Sequence, residues 1–189
     1  MPISKTMRYK KEVELLEHYN KFPEGGTTVF SSEQITKTFE VLGLVPRVGA
    51  KVLDLGCASG ITCNILTDMY DMKTTGVDFC GPRIARAKKL FPKLKFVKHN
   101  IHSFLKKETG KYDFIILFDI IEHLENPAEV VESAKKLLKP GGVIIGRTPL
   151  NFPYSAHLQV YKTIAEFRNQ LNPTRVLLQE NRIISAWTK

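Results

Sequence analysis

From residue 51 onward, short apolar runs alternate with stretches whose apolar residues have helical spacing. Each run has the length of a strand, and the stretches between runs can hold connecting helices. Strands joined through helices pair in parallel, with helices covering both faces of the sheet. The pattern therefore predicts an α/β fold, a doubly wound sheet. Its first five strands are predicted to be KVLDLG (51–56), KTTGVD (73–78), LKFVKHN (94–100), YDFIILFD (112–119) and VIIGRTP (143–149).

The C-terminal part of the chain changes pattern. A helical segment, YKTIAEFRNQL (161–171), precedes two β-rich runs, TRVLLQ and RIISAW (182–187), which flank the turn Glu180-Asn181. A two-residue connection forces the two runs into an antiparallel hairpin. The full prediction is a seven-stranded sheet that is mostly parallel and is closed by a C-terminal antiparallel hairpin strand.

Residues 1–49 lack the strand and helix alternation. They are predicted to form a helical N-terminal cap, with one helix at EVELLEHY (12–19), on a core of residues 50–189. Because 189 residues is close to the size of one domain, the range 1–189 is predicted to be a single domain.

Turn and cap residues predict where several helices begin and end. Ser31 followed by Gln34 is a capping-box pattern at the start of a helix. Asn126 and Pro127 suit the first positions of the helix AEVVESAKKLL. Pro140-Gly141-Gly142 is predicted to stop that helix before the fifth strand.

Composition excludes several classes of protein. The chain is 43% hydrophobic and 25% charged, as an ordinary globular protein is. It has no apolar run long enough for a membrane span, and its polar start does not resemble a signal peptide. Three cysteines without a CxxC pair favour neither a disulfide framework nor a zinc site. A reducing, cytoplasmic location is predicted.

Residues 83–111 hold ten basic residues and one acid, Glu108, so this segment alone accounts for the formal charge of +9. A basic patch can bind nucleic acid or another polyanion. The favoured interpretation is a solvated helix and edge strand whose lysines prevent association. Phe91, Phe96 and Phe104 have the spacing of core residues rather than of a base-stacking platform.

The residues that follow the first two predicted strands suit a nucleoside-containing ligand. The turn Asp54–Gly60 has small residues at 56, 58 and 60, which let a ligand approach the backbone, and a helix N-terminus follows it. Asp78 ends the second strand, where an acid can hold both ribose hydroxyls. The turn is one residue shorter than the dinucleotide pattern GxGxxG, and the phosphate loop GxxxxGK[ST] is absent.

Five segments in order resemble the class I S-adenosylmethionine-dependent methyltransferases. They are VLDLGCASG, GVDFC, HNI (99–101), FDIIEHLENP (118–127) and LLKPGGVIIGRTP. In the first segment, Ala58 replaces the usual middle glycine. The resemblance implies a Rossmann-like fold, S-adenosyl-L-methionine as cofactor and S-adenosyl-L-homocysteine as product.

The resemblance also implies roles for individual residues. The turn Asp54–Gly60 would hold the methionine part of the donor, and Asp78 would hold its ribose. Phe79, Asn100 and Ile101 would contact the adenine. Phe118 and Asp119 would line the methionine side near the sulfonium. The implied cofactor-binding residues are, in chain order, Asp54, Gly56, Cys57, Ala58, Gly60, Asp78, Phe79, Asn100, Ile101, Phe118 and Asp119.

Glu122 and His123 follow the fourth strand, where the methyl group should emerge, and are the candidate catalytic residues. A histidine has a suitable pKa to take a proton from an acceptor hydroxyl or amine. The alternative is that both residues only brace the loop. Tyr154, His157 and Tyr161 follow the fifth strand and are candidates to line the acceptor pocket, or else to cap a helix and cover the core.

The stretch Asp119-x-x-Glu122-His123 also resembles the Glu-x-x-Glu-His stretch of ubiquinone-pathway O-methyltransferases. That resemblance implies a divalent metal in such relatives, but Asp119 departs from the pattern, and no metal site is predicted here.

Three functions are compatible with these motifs. The preferred prediction is methyl transfer to an O or N atom of a small-molecule acceptor. The alternatives are an RNA- or DNA-modifying methyltransferase that uses the basic patch, and a non-catalytic S-adenosylmethionine-binding protein. A nicotinamide dehydrogenase is disfavoured by the short glycine turn. No motif in the sequence indicates the acceptor or the oligomeric state.

Overall fold

A computed structural model describes residues 30–189, which form a seven-stranded sheet with helices on both faces. The strand order is β3-β2-β1-β4-β5-β7-β6. The first five strands are parallel, whereas β7 runs antiparallel to both β5 and β6. The predicted fold class is thereby confirmed. The strands are β1 (Lys51–Leu55), β2 (Lys73–Asp78), β3 (Lys95–Lys98), β4 (Tyr112–Phe118), β5 (Leu138–Pro149), β6 (Arg175–Gln179) and β7 (Arg182–Thr188).

The helices alternate with the parallel strands, as the sequence pattern predicts. Ser31 forms the predicted capping box with Gln34, and the Asn126 side chain caps the helix after β4. The predicted helix at 12–19 lies outside the described residues. No helix within residues 30–189 is both long and apolar enough to cross a membrane. The helices are α1 (Ser32–Val41), α2 (Ile61–Tyr70), α3 (Gly81–Leu90), α4 (Ile101–Lys107), α5 (Pro127–Lys135) and α6 (Ile164–Leu171), with a 3₁₀ turn at Ile121–His123.

Buried side chains on the two faces of the sheet form two large apolar clusters. On β4, Phe114 and Ile116 pack into the cluster beneath α1 and α2, whereas Ile115 and Leu117 pack into the cluster beneath α4, α5 and α6. Because successive residues of a strand point to opposite faces, a strand covered on both sides must be apolar throughout. This is why YDFIILFD is the most apolar run of the chain.

Strand β5 begins earlier than the sequence predicts. Residues 138–142 join the strand instead of forming the helix end and a break, and α5 ends at Lys135. A register shift between Tyr112 and Phe114 on β4 absorbs the irregularity, and Gly141 takes a positive φ of 72°. The Pro-Gly-Gly signal therefore marks an irregular part of the strand itself.

The parallel sheet brings the carboxyl ends of five strands to one edge. The connections from β1 and β4 lead to opposite sides of the sheet, and ligands of such folds bind where the strand order reverses in this way. The turns after β1, β2 and β4 and the loop after β5 therefore surround one region.

Candidate functional site

The turn after β1 is built from left-handed backbone. Gly56, Ala58 and Gly60 have φ values of 85°, 47° and 80°. A Cβ on Gly60 would lie 2.5 Å from the Phe96 ring, so only glycine fits there. Ala58 takes the same type of conformation although it carries a side chain, which costs roughly 1–2 kcal/mol. The turn thus keeps its shape despite the replacement of its middle glycine.

Asp78 ties the turn after β1 to the turn after β2. Its side chain is 5% exposed, and its two oxygens accept hydrogen bonds from the backbone N–H groups of Ala58 (3.0 Å) and Cys80 (2.8 Å). Desolvation raises the pKa of Asp78, while those backbone donors act in the opposite direction. A carboxylate oxygen has two lone pairs, so both oxygens can still accept from a ligand hydroxyl.

Asp54 is a second buried acid on the same edge. It is 3% exposed and accepts a hydrogen bond from the Cys63 thiol at 3.3 Å. Burial raises the pKa of Asp54 to about 7, with a smaller contribution from the charge of Asp78. Burial also raises the pKa of Cys57 and Cys63, so both thiols are protonated. Two acids of raised pKa thus lie beside the small-residue turn.

The positions implied for adenine lie at the neighbouring strand ends. Phe79 follows Asp78 and is half-buried. Asn100 caps α4 by accepting a hydrogen bond from the Ser103 N–H at 3.3 Å, and Ile101 is 7% exposed. All three residues lie at the carboxyl edge, on the side of β1 away from β4.

The end of β4 carries a charge pair that sequence reasoning missed. Asp119 has a φ of 46°, and its Oδ1 accepts from Arg182 Nη1 at 2.8 Å. Phe118, just before it, makes an edge-on contact with Phe30 at 5.3 Å between ring centroids. Arg182 was missed because it reaches this edge through the pairing of β7 with β5, and no local sequence pattern specifies that register.

Glu122, His123 and His157 form a compact cluster beyond the ends of β4 and β5. Their potential ligand atoms lie within 4.8 Å of one another. His123 Nδ1 donates to the Ala156 carbonyl (2.9 Å), and His157 Nδ1 donates to the Phe152 carbonyl (2.8 Å). These bonds fix both tautomers, so each ring carries its acceptor lone pair on Nε2.

Glu122 is the buried member of this cluster, at 2% exposure. Thr148 Oγ1 donates to its Oε2 at 3.5 Å, and desolvation followed by the charge of Asp119 raises its pKa well above the usual range. The Glu122 carbonyl accepts the N–H groups of Leu158 and Gln159, which holds the loop after β5 against the 3₁₀ turn.

The three candidate acceptor residues have different surroundings. The Tyr154 and His157 rings are 5.4 Å apart, and Tyr154 is 37% exposed. Tyr161 is 4% exposed and packs against Phe167 at 4.9 Å, within the apolar core. The structure therefore brings Tyr154 together with His157 and places Tyr161 in the core.

Part of the basic segment lies at the opposite edge of the sheet. Lys93, Lys95 and Lys111 line a cleft of about 500 Å³ together with Lys51 and Lys73. Lys51, Lys73 and Lys95 are the first residues of their strands, so this cleft opens at the amino ends. Asp54 and Asp78 lie near the opposite, carboxyl ends of β1 and β2, so the length of the strands separates them from this cleft.

The fold and this arrangement of acids are those of a class I S-adenosylmethionine-dependent methyltransferase. A family model described as a methyltransferase domain matches residues 29–188. The chain belongs to that family.

Individual relatives are distant. A ubiquinone biosynthesis O-methyltransferase of Albidiferax ferrireducens is 29% identical over 118 residues, which cover 58% of this chain and 46% of the relative. The chain thus spans about half the length of the curated relatives that it matches.

Solved structures share the fold. The PH0226 protein of Pyrococcus horikoshii superposes with a TM-score of 0.69 at 20% identity, covering 91% of this chain and 98% of that one. DhpI, solved as a complex with S-adenosylhomocysteine, gives a TM-score of 0.72 at 14% identity and covers 97% of each chain.

The residues present fit the methyl donor of this family. A buried carboxylate at Asp78 suits the paired hydroxyls of a ribose, and the small residues of the turn after β1 let a ligand approach its backbone. S-adenosylmethionine is therefore the cofactor that the family and these residues support.

Proposed function

We propose that this chain transfers a methyl group from S-adenosylmethionine to an oxygen or nitrogen atom of a small-molecule acceptor. The observation that carries the proposal is the order of groups along one sheet edge. Asp54 and Asp78 lie at β1 and β2, and the Glu122, His123 and His157 cluster lies beyond the neighbouring strands β4 and β5. Donor and acceptor groups therefore occupy adjacent halves of the same edge.

The protein's main task in this reaction is alignment. The donor, when bound, supplies an already activated methyl group on its sulfonium. The turn Asp54–Gly60 and the carboxylate of Asp78 hold the donor, with Phe79, Asn100 and Ile101 at the adenine. Phe118 and Asp119 face the methionine side. Fixing the acceptor atom in line with the methyl group and excluding water supplies most of the acceleration.

An acceptor hydroxyl or amine must also lose a proton, and we assign that step to His123. Its Nδ1 is held by the Ala156 carbonyl, so Nε2 is the nitrogen that takes the proton. Glu122 lies buried beside it. Because the resting tautomer is fixed by a backbone carbonyl, the imidazole does not have to reorient during turnover.

A divalent cation is a second candidate for the same cluster, and the resemblance to ubiquinone-pathway enzymes implies one. Two imidazole nitrogens and one carboxylate within 4.8 Å of one another are suitable metal ligands. The other nitrogen of each imidazole is held by a backbone carbonyl, an arrangement that is common for metal-binding histidines. Glu122, His123 and His157 would hold the ion, which would lower the pKa of an acceptor hydroxyl. Asp119 is instead engaged by Arg182.

A small acceptor is favoured over nucleic acid because the cleft lined by five lysines opens at the amino ends of the strands. A polyanion bound there would lie away from the donor site. The three cysteines are free and buried, which supports the predicted reducing, cytoplasmic setting.

The direct test is formation of S-adenosylhomocysteine from S-adenosylmethionine with a panel of hydroxyl- and amino-bearing small molecules, and with bulk tRNA. We expect turnover with a member of the small-molecule panel. Turnover with tRNA alone, or donor binding without turnover in any arm, would contradict the proposal. Saturable binding of NAD, without binding of S-adenosylmethionine, would contradict the assignment of S-adenosylmethionine as the cofactor of this chain.

His123→Gln and His157→Gln test the cluster once turnover is established. Loss of a positioned base lowers kcat by about 10²–10⁴-fold. We expect a fall of that size in His123→Gln with unchanged donor affinity, whereas the control His102→Gln should match the wild type. EDTA treatment and elemental analysis separate the two candidates: a rate unaffected by EDTA supports His123 as the proton acceptor, and loss of rate with a bound metal supports the cation.

A further inference from the structure

Arg147 is a buried cation that the proposed reaction has not used. It lies on β5, near its carboxyl end, and only 4% of it is exposed. Its Nε is buried and has no hydrogen-bond partner. The guanidinium carbon lies 4.8 Å from the centroid of the Phe30 ring. Within residues 30–189, no carboxylate forms an ion pair with it.

An arginine in this state is costly for the folded protein. A buried polar donor without an acceptor loses its hydration, and a charged donor loses more. Contact with an aromatic ring returns only part of that loss. The charged groups around it are Asp119, Arg182 and the exposed Glu180. Asp119 Oδ1 already accepts from Arg182 at 2.8 Å.

The position of Arg147 in the sheet places it on the acceptor side. It is paired in register with Phe118 on β4 and with Ile184 on β7. Phe118 belongs to the methionine side of the proposed donor site, so Arg147 lies next to the end of the donor that carries the methyl group. The loop with Tyr154 and His157 leaves the end of the same strand, β5.

We propose that Arg147 binds a carboxylate of the methyl acceptor. A guanidinium presents a planar fork of N–H donors that matches a carboxylate, and its binding would satisfy the orphaned Nε. This inference rests on the proposed function and narrows it. The acceptor class is a small molecule that carries a carboxylate together with the hydroxyl or amine that is methylated.

The test uses the full chain saturated with S-adenosylhomocysteine and does not require the natural acceptor. Fluorinated carboxylates, 4-fluorobenzoate and 4-fluorophenylacetate, are titrated by ¹⁹F NMR beside their primary amides. We expect the carboxylates to bind at least about tenfold more tightly than the amides, as a charge-assisted pair predicts. Arg147→Gln should abolish that preference, Arg147→Lys should retain part of it, and the exposed-site control Arg168→Gln should keep it.

Thermal unfolding separates a binding role from a structural one. Removing an unpaired buried charge should leave the Tm of Arg147→Met unchanged or higher, although anion binding is lost. Equal binding of carboxylates and amides by the wild type, or an unchanged preference in Arg147→Gln, would overturn the inference. The fluorinated probes are not methylated, so a negative result in this test would contradict the role of Arg147 and not the proposed methyl transfer. Failure of the protein to bind S-adenosylhomocysteine would instead contradict the proposed function.

Discussion

At the scale of single residues, the site is defined by acids that are buried beside a strained turn. Asp54 and Asp78 are each at most 5% exposed, although an acid is seldom buried without a strong reason. Ala58 holds a left-handed conformation next to them. Buried acids of raised pKa and a strained backbone are typical of functional sites, where geometry matters more than stability.

Asp54 should make stability depend on pH. Its pKa is raised to about 7 in the folded protein, so between the unfolded value and 7 the native state binds more protons than the unfolded state. The contribution of Asp54 to the free energy of unfolding is therefore fully present below its unfolded pKa and is lost as pH rises through its folded pKa. We expect Asp54→Asn to gain stability relative to wild type by up to about 1.4 kcal/mol per unit between pH 5 and 7.

Urea unfolding of both proteins at pH 5, 6, 7 and 8 measures this difference. Above pH 8 the difference should stop growing. A difference that does not change with pH would show that Asp54 has the same pKa in the folded and unfolded chains.

Ala58→Gly should stabilise the protein. Relief of left-handed strain is worth roughly 1–2 kcal/mol, and the added flexibility of the unfolded chain costs about 0.5–1 kcal/mol. The expected net gain in the free energy of unfolding is therefore up to about 1.5 kcal/mol. The control Ala85→Gly, at an exposed position within α3, should lose about 0.5–1 kcal/mol. Loss of stability in Ala58→Gly would show that the strain is not relieved.

At the scale of elements, the C-terminal hairpin contributes to the site as well as closing the sheet. Antiparallel pairing brings Arg182, the first residue of β7, opposite Pro149 at the carboxyl end of β5. From there it reaches Asp119 after β4. The last strand is thus fastened to the edge where the donor is bound.

A double-mutant cycle measures this link. We expect Asp119→Asn and Arg182→Gln to be coupled by about 1 kcal/mol in the free energy of unfolding, because the pair is only partly exposed. The pair Lys135 and Glu132 on α5, in which the glutamate side chain is 66% exposed, is the control, and its coupling should be only about 0.2–0.5 kcal/mol. Coupling of equal size in both pairs would mean that the Asp119–Arg182 pair is an ordinary surface contact.

The sequence predicts elements better than it predicts contacts between distant residues. Alternating apolar runs and the Glu180-Asn181 turn were sufficient for the parallel sheet and the hairpin. The early start of β5 was missed because Pro140–Gly142 carry a turn signal that pairing with β4 overrides. The Asp119–Arg182 pair depends on strand register, which local patterns do not specify.

At the scale of the whole molecule, the common direction of the parallel strands places the acidic and histidine residues at one end of the sheet and the lysine-lined cleft at the other. The acids and the histidine cluster lie at the carboxyl ends of the parallel strands, and the lysine-lined cleft opens at the amino ends. Three of the ten basic residues of segment 83–111 line this cleft, away from the site. The order of the motifs predicted that these residues share one edge, because every parallel strand has its carboxyl end there.

The central claim is that the turn at 54–60 and the carboxylate of Asp78 together bind the methyl donor. Isothermal titration of S-adenosylhomocysteine into wild type, Asp78→Ala and the exposed-site control Asp68→Ala tests it most directly. Loss of a charge-assisted pair to buried hydroxyls should weaken binding by about tenfold or more in Asp78→Ala. The control should bind as the wild type does, and Asp78→Ala must remain folded by circular dichroism. Equal affinity in folded Asp78→Ala and wild type would contradict the account.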